Sequence, residues 1–274
     1  MITPVIDIAD LRSATAGISR SGKSYTTNFF ASPQEISRWI STEALSSVRL
    51  ASAVLVLRRD EGFHRLYHVA SDTSSLSSAL GCLPSALGES MIVADLIGRL
   101  ESLEGAVSAY EANGFYRHAR LVRMQRIVQK TAQECFAESN VLQARLNDVQ
   151  RIREFLSRQL DPLVEQIPGL SQLNDAVSKG SVLIVLAGTE IAGLLIHDTT
   201  GLTTVLRYWH VGKRFRNLGI GAKLIRTFFA NCESKRILLW VIADNKDAIA
   251  KYRHYEFEDD PMIDEILVKK WETA

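Results

Sequence analysis

Cysteine is scarce in this chain of 274 residues: Cys82, Cys135 and Cys232 lie far apart, without a CxxC pair or a Cys/His ligand spacing. That leaves neither a disulfide framework nor a zinc site to build, and it fits reduced thiols in a cytoplasmic protein. Long apolar runs are also missing. No stretch approaches the roughly 18 residues of a membrane span, and the start MITPVIDIADLRSATAG has no basic segment followed by an apolar one. Neither sign of charge dominates, since 32 Lys and Arg stand against 31 Asp and Glu for a net charge of +1. With no long block of one sign, nucleic acid is not an obvious partner. The expectation is therefore a cytoplasmic protein without metal, nucleic acid or membrane.

What remains is ordinary globular composition, 46% hydrophobic and 23% charged, at a length that suits one large or two medium domains. From Ser181 onward the pattern is regular. SVLIVLAG and TEIAGLLIHD read as two strands turning at Gly188, and LTTVLRYWHV (202–211) as a third, rich in β-branched and aromatic residues. GIGAKLIRTFFAN (219–231) places Ile220, Leu224, Ile225, Phe228 and Phe229 on one side of a helix. RILLWVIAD reads as a strand buried on both faces, DNKDAIAKYRHYEF as a helix and MIDEILVKKW as a closing strand. Upstream, NDVQRIREFLSRQL and LSQLNDAVS supply two helices, separated by Pro162 and Pro168. The basic stretch Arg117, Arg120, Arg123 and Arg126 reads as a strand with one solvated face.

The first half echoes the second at a constant offset of 142: His68 and Val69 against His210 and Val211, Leu76 against Leu218, and Ala106, Val107, Tyr110 and Phe115 against Ala248, Ile249, Tyr252 and Phe257. A duplicated fold is the reading, with its boundary near Thr131 and domains at 1–130 and 131–274.

The main chemical signal is RNLGIG, Arg216–Gly221, between the third strand and the following helix. Glycines 219 and 221 lack Cβ atoms, so backbone amides can approach a ligand, and the first helical turn offers unpaired N–H groups at the positive end of the dipole. A pyrophosphate fits such a turn; the plainer alternative is two glycines that only shape it. A GxGxxG dinucleotide fingerprint is absent. Downstream come Asn245, Ala248, Ile249, Tyr252 and Phe257 in sequence.

These two segments resemble the (Arg/Gln)xxGxG/A loop and the following Asn…Tyr segment of the GNAT superfamily of acyl-CoA-dependent N-acetyltransferases, over residues 142–270. The resemblance implies an α/β GNAT fold, a mixed and mostly antiparallel sheet flanked by helices, in two tandem copies. It implies acetyl-CoA as acyl donor and an amine as acceptor. The donor would be held by Val211, Arg216, Asn217, Leu218, Gly219, Ile220, Gly221, Ala222 and Asn245, with Lys213 and Arg214 adding charge. The Val211 N–H would polarise the thioester carbonyl, and Tyr252 would protonate the departing thiolate. One departure is Glu256, where the family's usual glycine precedes Phe257; the first copy keeps Gly114.

An amine must lose a proton before it attacks, and His210, ending its strand, is the expected base, with Tyr208 and Asp244 as substitutes. At offset 142 the positions of Asn245, Gly219 and Gly221 hold Leu103, Ser77 and Ala79, so the first copy reads as degenerate, with Tyr110 kept for packing. Cys232 lies outside the motifs and is given no nucleophilic role. Two rival readings stand beside the enzyme: an acyl-CoA sensor or assembly module without turnover, and a nucleotide-binding protein. The latter rests on GISRSGKS (17–24), which matches GxxxxGK(S/T) but lacks the strand before it and the helix after it.

Overall fold

The computed structural model describes residues 2–21, 25–83, 87, 90–128, 138 and 140–270. It divides into two compact units, Met1–Leu121 with Pro261–Ala274, and Val122–Asp260.

The first unit contains β1 (Thr3–Pro4), α1 (Ile8–Ser21), β2 (Thr26–Thr27), α2 (Pro33–Ser41), β3 (Leu45–Arg49), β4 (Ala53–Arg59), β5 (Phe63–Ala70), α3 (Thr73–Gly81), β6 (Met91–Arg99), α4 (Leu100–Glu111) and the start of β7 (Tyr116–Ile127). α2 starts at a proline and is closed by a capping box between Ser32 and Glu35. Its sheet runs β1-β3-β4-β5-β6 and is extended by the last strand of the chain. The helical course of α1 through Ser21 removes the phosphate-loop reading of GISRSGKS, since helix, not strand, leads into it; Gly22–Ser24 lie outside the described residues.

The second unit contains the rest of β7, then β8 (Leu142–Gln143), α5 (Val149–Gln159), α6 (Leu170–Ser178), β9 (Val182–Ala187), β10 (Glu190–Thr200), β11 (Thr203–Val211), α7 (Ile220–Asn231), β12 (Arg236–Ile242), α8 (Lys246–His254) and the start of β13 (Glu258–Lys269). Its strand order is β7-β12-β11-β10-β9-β8. The expected hairpin is β9–β10, and Gly188 takes φ +63° in its turn. One face is covered by α7, with Leu224, Ile225, Phe228 and Phe229 in a core beside Leu206, Leu239 and Phe257. The other is covered by α5 and α6 through Ile152, Leu156 and Leu173.

Three expectations are corrected. The closing strand does not complete the second unit: β13 lies antiparallel to β6, from Met262↔Arg99 to Lys269↔Ile92, and Leu267 packs into the core of the first unit. The units therefore differ from blocks 1–130 and 131–274, while Thr131 itself lies outside the described residues. β12 is not buried on both faces; Ile237, Leu239 and Val241 are buried and alternate with half-buried neighbours. The arginines of β7 are a solvated stripe only at its start, where Arg117 is exposed and pairs with Glu111 at 2.8 Å. Within the first unit Arg120 pairs with the buried Glu265; within the second, Arg123 pairs with Asp260 at 2.9 Å and Arg126 with Glu256 at 3.0 Å. Each of these three charges is matched by an acid in the segment after α8, an arrangement invisible along the sequence.

Candidate functional site

The site of the second unit starts from an interrupted strand pair. β11 and β12 are parallel from Thr203↔Arg236 to Leu206↔Leu239, and β11 then continues to Val211. On its other edge β11 stays paired with β10 to the end, as Leu194↔His210 and Gly193↔Val211. Gly212 N–H donates to Ala192 O at 2.9 Å. Because antiparallel pairs alternate between hydrogen-bonded and non-hydrogen-bonded, Gly193/Val211 is a non-bonded pair. The Val211 N–H therefore points away from β10, into the notch where β12 has parted from β11.

The chain leaves Val211 through a short 3-10 turn at Lys213–Phe215 and enters the RNLGIG segment. Asn217 and Gly219 both take left-handed backbone conformations, φ +65° and +74°. Gly219 is the N-cap of α7, and no side chain caps the helix there. The first amides of α7 are thus left for a ligand, next to the positive end of the helix dipole. Trp209 Nε1 donates to Gly221 O at 3.1 Å and ties the first turn of α7 to β11. Arg216, Asn217, Leu218 and Gly219 are exposed, Gly221 and Ala222 are half-buried, and Ile220 packs inward. Of the added cations, Lys213 and Arg216 are exposed, whereas Arg214 is ion-paired with Glu190.

Side chains converge on the notch from both faces. Tyr252, on α8, packs against Trp209 and makes a T-shaped contact with Phe257, centroids 5.8 Å apart. Burial, and then the negative charge of Glu165, push its phenol up to about 12, so it stays protonated at neutral pH. His210 is half-buried, and burial and the charge of Arg216 bring its imidazole down to about 4, so it is neutral. Its Nε2 lies 3.8 Å from Glu165 Oε1. Burial raises the Glu165 carboxyl to about 7, against a backbone hydrogen bond from Asp161 that lowers it and with the Asp161 charge adding a smaller rise.

Glu165 has no place in either motif. A single acid between Pro162 and Pro168 gives no pattern to read, and only the folded connection brings it to β11. The substitutes for His210 fare differently: the Tyr208 hydroxyl donates to Gln166 O and fastens that same connection, and Asp244 is exposed after β12. Asn245 caps α8, its side-chain oxygen accepting from Ala248 N–H at 3.1 Å, which leaves its amide N–H groups for a ligand.

Glu256 also has an explanation. α8 ends with Glu256 N–H donating to Arg253 O and Phe257 N–H to Tyr252 O, a Schellman closure that needs a left-handed residue, and Glu256 takes φ +62°. Gly114 holds the same place after α4, with φ +81° and Phe115 N–H donating to Tyr110 O. The ion pair from Glu256 to the buried Arg126 accompanies the non-glycine residue.

The first unit repeats this layout with its notch filled. β5 and β6 are parallel only from Phe63↔Met91 to Arg65↔Val93. β4 occupies one edge of β5 as far as Ala70, so β2, pairing Thr26↔Ala70 and Thr27↔Val69, lies on the edge that β6 has left. Asn28 then bridges the parted strands. Its amide donates to Leu66 O at 3.1 Å and Asp95 O at 2.9 Å, and its oxygen accepts from His68 N–H at 2.6 Å. His68 and Tyr110, the counterparts of His210 and Tyr252, are fully buried and share a 3.0 Å hydrogen bond. Burial takes His68 down to about 3.

α3 follows β5 almost directly and is capped by Asp72, whose carboxylate accepts from Ser75 N–H at 2.7 Å. The counterpart of Gly219 is therefore a carboxylate where an anion would bind, and Ser77 and Ala79 lie inside the helix, so the ungapped comparison does not hold there. Asn28→Ala should cost roughly 2–4 kcal/mol, because three buried backbone groups lose their partner. Urea denaturation checks this, and a loss under about 0.5 kcal/mol would show the bridge to be dispensable.

Residues 149–257 match the sequence profile described as the acetyltransferase (GNAT) family. A search of curated proteins finds no match. Among solved structures, the chain resembles a GCN5-related N-acetyltransferase from Sphaerobacter thermophilus at 13% identity and TM-score 0.61, covering 98% of this chain and 95% of that one. It resembles a tandem GNAT protein from the clavulanic acid biosynthesis pathway at 14% identity and TM-score 0.61, covering 100% and 99%. A putative GNAT-family acetyltransferase from Novosphingobium aromaticivorans matches at 15% identity and TM-score 0.51, over 85% and 93%. These likenesses show the fold: mixed α/β, mostly antiparallel, of the tandem GNAT kind. Among the described residues no helix is long and apolar enough to cross a membrane.

Proposed function

We propose that the protein is a cytoplasmic acetyl-CoA-dependent N-acetyltransferase that transfers the acetyl group directly to an amine, on the footing of the match of residues 149–257 to the acetyltransferase (GNAT) family. The observation that carries this reading is the open notch: an outward-facing Val211 N–H continuous with the uncapped start of α7. The residues fit the donor. Backbone amides from Gly219 to Ala222 would hold its pyrophosphate, with Arg216 and Lys213 supplying positive charge and Asn217 and Leu218 forming the loop's outer wall. The Asn245 amide would meet the pantetheine arm. The Val211 N–H would stabilise charge developing on the thioester oxygen, and Tyr252 would protonate the thiolate. On the acceptor side, the proton acceptor is drawn from His210 and Glu165.

The first unit is proposed as a degenerate copy. Asn28 occupies the strand gap and Asp72 occupies the helix N-terminus, so neither half of a donor site is left open. Release of free thiol from acetyl-CoA on addition of a mixture of primary amines tests the enzyme reading. Saturable binding without thiol release would favour the sensor.

A further inference from the structure

We propose that Glu165 is the proton acceptor of this reaction and that its acceptor is a cationic amine, bound as the ammonium by that carboxylate. The proposal rests on the acetyltransferase reading of the notch.

The connection carrying Glu165 is fixed at several points. Asp161 O accepts from Val164 N–H at 3.1 Å and from Glu165 N–H at 2.8 Å, and Asp161 Oδ1 accepts from Leu163 N–H at 2.9 Å. Val164 is buried, the Tyr208 hydroxyl donates to Gln166 O, and Arg153 donates to Pro168 O at 3.2 Å. The carboxylate is thereby held 3.8 Å from His210 Nε2, one residue from the Val211 amide. The titratable and charged groups around it are Asp161 on its own turn, His210 on β11 with Arg216 beside it, and Tyr252 on α8.

An alkylamine arrives protonated and needs an anionic partner that is still basic near neutrality. Glu165 meets both needs, whereas His210 is neutral and too weak a base. The ammonium gives one proton to Glu165. The freed nitrogen lone pair forms the C–N bond, the C–S bond breaks, and the thiolate takes the Tyr252 proton. The second nitrogen proton leaves as the amide forms and restores Tyr252 through solvent, while Glu165 releases the first to solvent. The charge state is coupled across the notch: once Glu165 is protonated, the charge that weakens Tyr252 as an acid is gone.

Benzylamine, a cation at neutral pH, and aniline, which is neutral, are the probes. Glu165→Gln should lower kcat/KM for benzylamine about 100-fold, leave aniline within about threefold, and leave acetyl-CoA affinity unchanged. The wild-type benzylamine rate should rise with pH through about 7, and the variant should lose that limb. Equal effects on the two amines, or none, would overturn the proposal. Loss of acetyl-CoA binding by the wild type would instead overturn the reading of the notch. A readout independent of turnover is the ¹³C-carboxyl signal that disappears in Glu165→Gln. It should titrate near 7 and shift when benzylamine is added; an ordinary carboxylate titration, or no response to the amine, would also overturn the assignment.

Discussion

Gly221→Trp should reduce acetyl-CoA affinity about 100-fold or more, with the fold intact. Gly221 stands in the first turn of α7, and a Cβ there would lie 3.5 Å from Val211 and 3.6 Å from Trp209, ordinary contact. Gly221→Ala should accordingly keep both fold and binding. An indole has no such room: it would cover the amides proposed to hold the pyrophosphate. Losing two charge-assisted hydrogen bonds at about 1.5–3 kcal/mol each corresponds to at least the stated factor. Calorimetric titration of the wild type and both variants checks this. Undiminished binding in Gly221→Trp would place the donor elsewhere.

Tyr252→Phe should leave the acetyl-CoA dissociation constant within about twofold and lower kcat about 100-fold, the span a positioned general acid supplies. The ring is held by Trp209 and Phe257, so phenylalanine keeps the packing and removes only the hydroxyl. Its counterpart Tyr110 sets the contrast. That hydroxyl is spent on His68 inside the first unit, where it packs edge-on to Phe115 at 4.8 Å. Tyr110→Phe should therefore be read in stability, not turnover. Unchanged thiol release from Tyr252→Phe would remove the residue from the chemistry.

Much of the second unit was legible because its signals are local. The turn at Gly188 and the apolar face of α7 each depend on residues close in sequence. The offset of 142 was legible for the same reason: Tyr110–Phe115 and Tyr252–Phe257 are both Schellman helix ends with an aromatic folded back. What escaped depends on distant partners. The apolar pattern of 266–268 marks a strand but not the sheet edge it joins, and β6 supplies that edge. Asn28 resembles any loop asparagine until β5 and β6 are placed around it. The absence of a long loop before α3 breaks the ungapped register just where Gly219 was compared with Ser77. Glu165 gains its character from burial beside β11, which no spacing of residues expresses.

The stoichiometry of acetyl-CoA binding to the full chain, read by calorimetry, tests the central claim most directly. One site per chain is expected, held by the open notch of the second unit while Asn28 and Asp72 close the first. Two sites per chain, or no saturable binding at all, would contradict the account.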